Sequence, residues 1–207
     1  MKLLAFIFGS WVFVPYSIFI RFLLKVKGVK VGRKFLIQGT PKLTIRGRAS
    51  NIIIGDNVTF TGDIDLRNRE NGKIIIGNKC RIDHGVRLVA AREATLTIGE
   101  ETEIGLYSVL NCGADVMIGR QCMISGFVFI QSSNHGTKRG QPIKEQPHIF
   151  KPIQIGDDVW LASHSTVLAG ATIGSGTIVG AKSVVTKNIP PNSIAVGIPA
   201  QITGERN

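Results

Sequence analysis

Cysteine, aromatic residues and, over the first quarter of the chain, acidic residues are scarce in this 207-residue sequence, and each scarcity excludes something. Three cysteines, an odd number without a CxxC pair, do not make a disulfide framework, and a reducing compartment is the simpler reading. Cys80 and Cys122 each stand two residues before an isoleucine, Ile82 and Ile124, and read as small packing residues. Cys112 is less placed, but no basic neighbour that would activate its thiol is evident. Aromatic residues make up 7% of the chain, so its core must be built from the plentiful Ile, Val and Leu. No acid precedes Asp56, whereas residues 1–48 hold ten Lys or Arg, so nearly all of the net charge of +11 sits at one end. No groove-reading motif accompanies that charge, and nucleic acid is not an expected partner.

What is abundant is a period. Residues 155–185 read IGDDVW LASHST VLAGAT IGSGTI VGAKSV V when cut every six, with Ile155, Leu161, Val167, Ile173, Val179 and Val185 on one phase. Two residues before each aliphatic stands a small or β-branched side chain (Val159, Ser165, Ala171, Thr177, Ser183), and glycine often follows the aliphatic. A period of six fits neither the 3.6 of a helix nor the 2 of a lone strand. It fits a three-sided parallel coil in which each hexad forms one side, the aliphatic points to the axis and glycine turns the corner. Ile-Gly pairs at 54, 76, 98, 118, 155 and 173 mark successive coils back to about Val31. The prediction is an all-β parallel β-helix of about seven coils, a little over ~30 Å long at the usual strand spacing. It spans residues 31–189, with a hydrophobic N-terminal helix and a short tail at 190–207.

Residues 1–30 form a separate segment. Leu3 to Ile20 is free of charge and is followed by Arg21, Lys25, Lys27, Lys30, Arg33 and Lys34. Lys2 alone makes a poor signal-peptide n-region and no A-x-A-like site follows, so cleavage is not expected. Eighteen apolar residues lie at the lower limit of a membrane span, and Pro15 weakens a straight helix. The expectation is attachment to an anionic membrane surface at its cytoplasmic face, by insertion plus basic charge, with the body in the cytoplasm. A helix that merely caps the solenoid is the alternative.

One interval between coils is nineteen residues longer than an 18-residue coil, and the excess lies in residues 131–152, QSSNHGTKRGQPIKEQPHIFKP. Ile143 and Ile149 keep phase with Ile155, so a degenerate coil is conceivable there. Three prolines, two histidines and missing corner glycines favour an inserted functional loop.

Residues 152–202, PIQIGDDVWLASHSTVLAGATIGSGTIVGAKSVVTKNIPPNSIAVGIPAQI, resemble the C-terminal signature of hexapeptide-repeat acyltransferases. The similarity is greatest to the branch of galactoside and maltose O-acetyltransferases and of capsule and lipopolysaccharide O-acetyltransferases. The resemblance implies a left-handed β-helix and a homotrimer with active sites between adjacent prisms. It also implies acetyl-CoA as cosubstrate, no metal, and a sugar or lipid-linked glycan acceptor. Transfer from a thioester to a hydroxyl needs a base, oxyanion donors and a groove for the long anionic cosubstrate. His135, beside Asn134 in the inserted loop, matches the position of the family base. The N–H of Ser163 matches the oxyanion donor, and Trp160, Ala162, Ala181, Thr186 and Lys187 match groove contacts. His164 reads as a side-wall residue, and His84 and His148 as ordinary surface or loop residues. Where relatives often carry a basic residue after the terminal G-x-P-A, this chain has Gln201, so the ribose phosphate falls to Arg206 or Lys182. Asn111 and Asp115 are further candidate acceptor contacts.

Other functions would place different demands on the same residues. The γ-type carbonic anhydrases share this helix but need an HxxxxH pair, and no two of the four histidines are five apart. N-acetylation of a nucleotide-linked amino sugar would use the same base, and a noncatalytic membrane-bound scaffold would bind no acyl-CoA. The primary reading is O-acetylation of a surface-polysaccharide sugar.

Overall fold

The six-residue phase becomes three flat faces in the computed structural model, which describes residues 6, 7 and 9–206. The first face holds seven parallel strands from Lys30–Val31 to Thr172–Ile173, and the third holds seven from Pro41–Ile45 to Val184–Val185. The second begins at Leu36–Ile37 and continues beyond Ile178–Val179 into Ser193–Gly197 and an antiparallel last strand, Ala200–Glu205. Residues 190–207 therefore do more than trail from the helix, since most of them extend the second face and close it.

Register follows the inward aliphatics. Ile98, Ile118, Ile155 and Ile173 stack on the first face, Ile104, Ile124, Leu161 and Val179 on the second, and Leu110, Ile130, Val167 and Val185 on the third. All are buried in one continuous core. A one-residue slip would turn such a stack outward, so the hydrophobic pattern fixes the register. The small slots before them carry a second ladder, in which Thr102, Ser108 and Thr177 donate to carbonyls of the next coil at 2.9–3.0 Å. Cys80 and Cys122 donate in the same way to Gly99 and Gly156, each at 3.1 Å. Burial pushes the Cys80 thiol up to about 11 and raises Cys112 as well, which makes all three buried cysteines packing residues.

Glycine has a different task from the one expected. The left-handed corner positions are held mostly by other residues, among them Asn57, Lys79, Glu101, Gln121 and Asp158. The glycines after the inward isoleucines are needed for closeness between coils. A Cβ on Gly55 would lie 2.8 Å from the carbonyl carbon of Gly77, and one on Gly77 2.9 Å from that of Gly99.

At the N-terminal end, a 3-10 turn at Ser10–Val12 leads into helix α1, Phe13–Val26. Phe13, Ser17 and Leu24 are buried against the first coil. Ser17 Oγ accepts the Ile37 N–H at 2.8 Å and Tyr16 donates to the Gly39 carbonyl at 3.0 Å. These bonds occupy groups on the otherwise open edge of the second face. Leu3, Leu4, Ala5 and Phe8 of the apolar stretch lie outside the described residues, and among those described no helix is long and apolar enough to cross a membrane.

Candidate active site

The insertion is an excursion rather than a degenerate coil, because Ile143 and Ile149 are 61% and 46% exposed instead of facing the axis. It leaves the third face after Phe129–Gln131 as the strand Ser133–His135, which pairs antiparallel with His148–Phe150 before the chain rejoins the first face at Ile153. The stem is anchored by Ser132, fully buried, whose Oγ accepts the N–H of Gly113 and of Ala114 at 3.0 Å and donates to the Ala114 carbonyl at 2.8 Å. Farther out, buried Gln146 ties the loop to itself, accepting from Lys138 N–H at 2.7 Å and donating to the carbonyls of Lys138 and Gln141.

This hairpin sets His135 directly opposite His148, with ring centroids 4.2 Å apart. The His148 ring in turn stacks on Phe150 at 5.8 Å, and the Arg92 guanidinium lies 4.1 Å from the centre of the Phe150 ring. His148 is thus a partner of the candidate base, whereas the sequence alone reads it as an ordinary loop residue. A signal was present: the two ends of a loop inserted between neighbouring coils must be adjacent, and 135 and 148 are equidistant from its middle. Phe150 and Arg92 carried no comparable signal.

The remaining predicted residues divide between two corners. Where the second face meets the third, Ala162, Ser163, His164 and Ser165 form a turn closed by Ser165 N–H to Ala162 O at 3.1 Å. His164 at φ 62° gives it type II character. Ala181 and Lys182 make the equivalent turn one coil on, with Lys182 N–H bonded to Ser163 O at 3.0 Å. Among the described residues the Ser163 N–H has no protein acceptor. The same holds at Gly126 and Ala181, the second positions of the neighbouring turns, so the donor is a general property of this corner. The His164 ring stacks on Phe127 at 4.8 Å, and Phe127 on Tyr107, as a side wall.

Trp160 stands next to this corner on the second face, exposed, its indole N–H donating to Ser125 Oγ at 3.1 Å. It lines a cavity of about 380 Å³ whose far side includes Arg206. Arg206 is tethered there to Asp158 at 2.7 Å, across the face from Lys182, and Gln201 is exposed on the last strand.

Where the third face meets the first, the hairpin with Asn134 and His135 leaves at Gln131, paired with Asn111, and returns at Ile153, whose N–H donates to the Asp115 carbonyl, and Thr186 and Lys187 follow the last strand of the third face. Asn111 Nδ2 is engaged by Gln131 at 3.0 Å, and Asp115 Oδ1 accepts the Thr95 N–H at 2.8 Å. Both side chains thus have structural partners, although Asp115 also lines a cavity of about 340 Å³ beside the hairpin with Arg92. His135 and Ser163 lie at opposite ends of the third face. One chain does not bring them together.

The geometry can be set beside known proteins. The family described as "Bacterial transferase hexapeptide (six repeats)" matches residues 152–187. A putative lipopolysaccharide biosynthesis O-acetyl transferase of Escherichia coli is 33% identical over 147 residues, 67% of this chain and 75% of that protein. A probable acetyltransferase of Mycobacterium tuberculosis is 32% identical over 168 residues, 80% of this chain, and the chain spans about half of that protein's length (53%). Among solved structures, galactoside acetyltransferase in complex with coenzyme A superposes with a TM-score of 0.53 at 27% identity, covering 61% of this chain and 64% of that one.

Proposed function

Because the chain belongs to the hexapeptide-repeat acetyltransferase family, we propose that it transfers an acetyl group from acetyl-CoA to a sugar hydroxyl of a surface polysaccharide or its lipid-linked precursor. The observation that carries the reading is the hairpin that holds His135 exposed at a corner, its ring braced by His148. In the neutral tautomer with the proton on Nδ1, His135 Nε2 accepts the hydroxyl proton as that oxygen attacks the thioester carbonyl. The tetrahedral oxyanion is stabilised by the N–H of Ser163. Its collapse breaks the C–S bond, and the departing thiolate takes the proton back from His135.

His135 and Ser163 stand at different corners of one chain, so the site needs a second copy to supply the missing half. We infer a homotrimer in which the third face of one chain's neighbour completes each site. Acetyl-CoA fits the other corner by chemistry. Small Ala162 and Ala181 leave backbone accessible to a pantetheine arm, Trp160 offers an apolar wall, and Lys182 offers a point charge for a phosphate, with Lys187 offering another from the third-to-first corner. Asn134, the residue before His135 on the same strand, is the first candidate for an acceptor contact; Thr186 is assigned to the cosubstrate with Lys187.

The test is thiol release from acetyl-CoA with sugar, lipid-linked and amino-sugar acceptors, for the native protein beside His135→Ala. Acceptor-dependent release that falls by at least ~100-fold in the variant supports the base assignment. Equal turnover removes His135 as base. A preference for the amine acceptor replaces O-transfer by N-transfer, and absence of acyl-CoA binding in either protein defeats the enzymatic reading.

A further inference from the structure

Helix α1 is amphipathic in the wrong sense for a simple cap. Its inner face, Phe13, Tyr16, Ser17, Ile20 and Leu24, satisfies the open end of the solenoid. The opposite face is also apolar. Trp11 of the preceding turn and Val14, Ile18 and Phe22 of the helix, spaced three, four and four residues apart, are 66%, 53%, 65% and 61% exposed, and Phe19 and Val26 widen the stripe. A contiguous exposed patch of this kind marks an interaction site.

Charge identifies what covers it. Arg21, Lys25, Lys27, Lys30 and Lys34 surround the stripe, and among the described residues Arg33 is the only cation of the first 48 that has an ion-pair partner. Arg21 and Lys34 also line a cavity of about 410 Å³ together with Val14, Ile18, Phe35 and Leu36, so basic and apolar side chains share it. A second copy meeting this face symmetrically would set the same cations against one another. A bilayer with anionic headgroups matches both the apolar centre and the basic rim.

We propose that the outer face of α1 is a lipid-docking surface that lies in the plane of an anionic bilayer and stands the solenoid end-on upon it. The helix does not span. Its 14 residues reach ~21 Å, short of the ~30 Å hydrocarbon core, and its inner face is occupied by the first coil. The hairpin leaves the fifth coil, four strand spacings or ~19 Å beyond the first, so the acceptor must reach at least that far from the lipid.

The experiment is flotation of the full-length protein with phosphatidylcholine vesicles with and without phosphatidylserine, beside the double variant Ile18→Glu/Phe22→Glu, whose two positions are exposed. No acyl donor or acceptor is present, so the result is independent of the proposed catalysis. The expected result is binding at least ~100-fold stronger to the anionic vesicles, weakened by salt and lost in the variant, which keeps its oligomeric mass and far-ultraviolet spectrum. Failure of the native protein to float with anionic vesicles overturns the proposal, as does equal binding by the variant. A fall in oligomeric mass in the variant overturns it too, by making the stripe a contact between chains.

Discussion

Replacing Ser132 with alanine removes one oxygen and three hydrogen bonds, two accepted from the N–H groups of Gly113 and Ala114 and one donated to the Ala114 carbonyl. At a net ~1 kcal/mol each, discounted because Gly113 and Ala114 are only half buried, the local loss is about 2 to 3 kcal/mol. That energy holds the stem of the hairpin to the corner beneath it, so opening of this corner should become ~30- to 150-fold more frequent. Hydrogen exchange at the Gly113 and Ala114 amides reads it directly. His135 lies three residues along the same strand, and a displacement of ~1 Å there is enough to cost ~100-fold in turnover. The Michaelis constant for acetyl-CoA should stay unchanged, because none of its proposed contacts lies in the hairpin or in the Gly113–Ala114 turn beneath it. Ser165→Ala is the control. Ser165 is equally buried, but among the described residues its Oγ has no hydrogen-bond partner, so the same substitution should cost little. Equal loss of protection at Gly113 and Ala114 in the two variants would refute the reasoning.

His148→Ala leaves the proposed base in place but removes the ring that braces it, so turnover should fall by less than in His135→Ala, with the acetyl-CoA Michaelis constant unchanged; an effect as large as that of His135→Ala would give His148 a share in the proton transfer. An aromatic disulfide reagent at pH 8 should label none of the three cysteines in the native protein and all of them after denaturation, since all are buried and Cys80 is pushed up to about 11. The Arg67 guanidinium beside Asp65, with Arg87 behind it, holds the Asp65 carboxyl below the usual carboxylate range. Its stabilising contribution is therefore complete above the unfolded value of ~3.9 and is lost as pH falls through the lowered folded value. Melting curves at descending pH should show a drop in that window that Asp65→Asn lacks. Gln146→Ala removes the three hydrogen bonds that tie the loop together and should speed proteolytic nicking within residues 137–145, while the solenoid fragments stay associated.

The solenoid was legible because each inward aliphatic obeys one rule wherever it stands: Ile155 and Val185 are held by the same geometry, so the period announces itself. A conformational rule for one residue explains glycine as a corner former, but close stacking between coils is a relation between Gly55 and Gly77 that such a rule does not contain. His135 was legible from loop position and resemblance. His148 depended on hairpin register, and the brace from Phe150 and Arg92 on which side chains two separate corners turn toward each other. The N-terminal segment showed its hydrophobicity and charge, but hydropathy does not tell which residues of α1 face the first coil and which face outward. Only the bonds of Tyr16 and Ser17 to that coil do so.

The two ends of the molecule are finished differently from its middle, by α1 at one end and by the reversed strand Ala200–Glu205 at the other, while the coils between them repeat the same pairing. Length is therefore a separable, stepwise variable. Removing or inserting one coil between α1 and the fifth would slide the hairpin along the axis by a single strand spacing, ~4.8 Å, without turning it to another corner or disturbing either end. The fold thus behaves as a notched ruler, on which the distance between the base of the prism and its reactive corner can be reset in whole steps while the chemistry at that corner stays as it is.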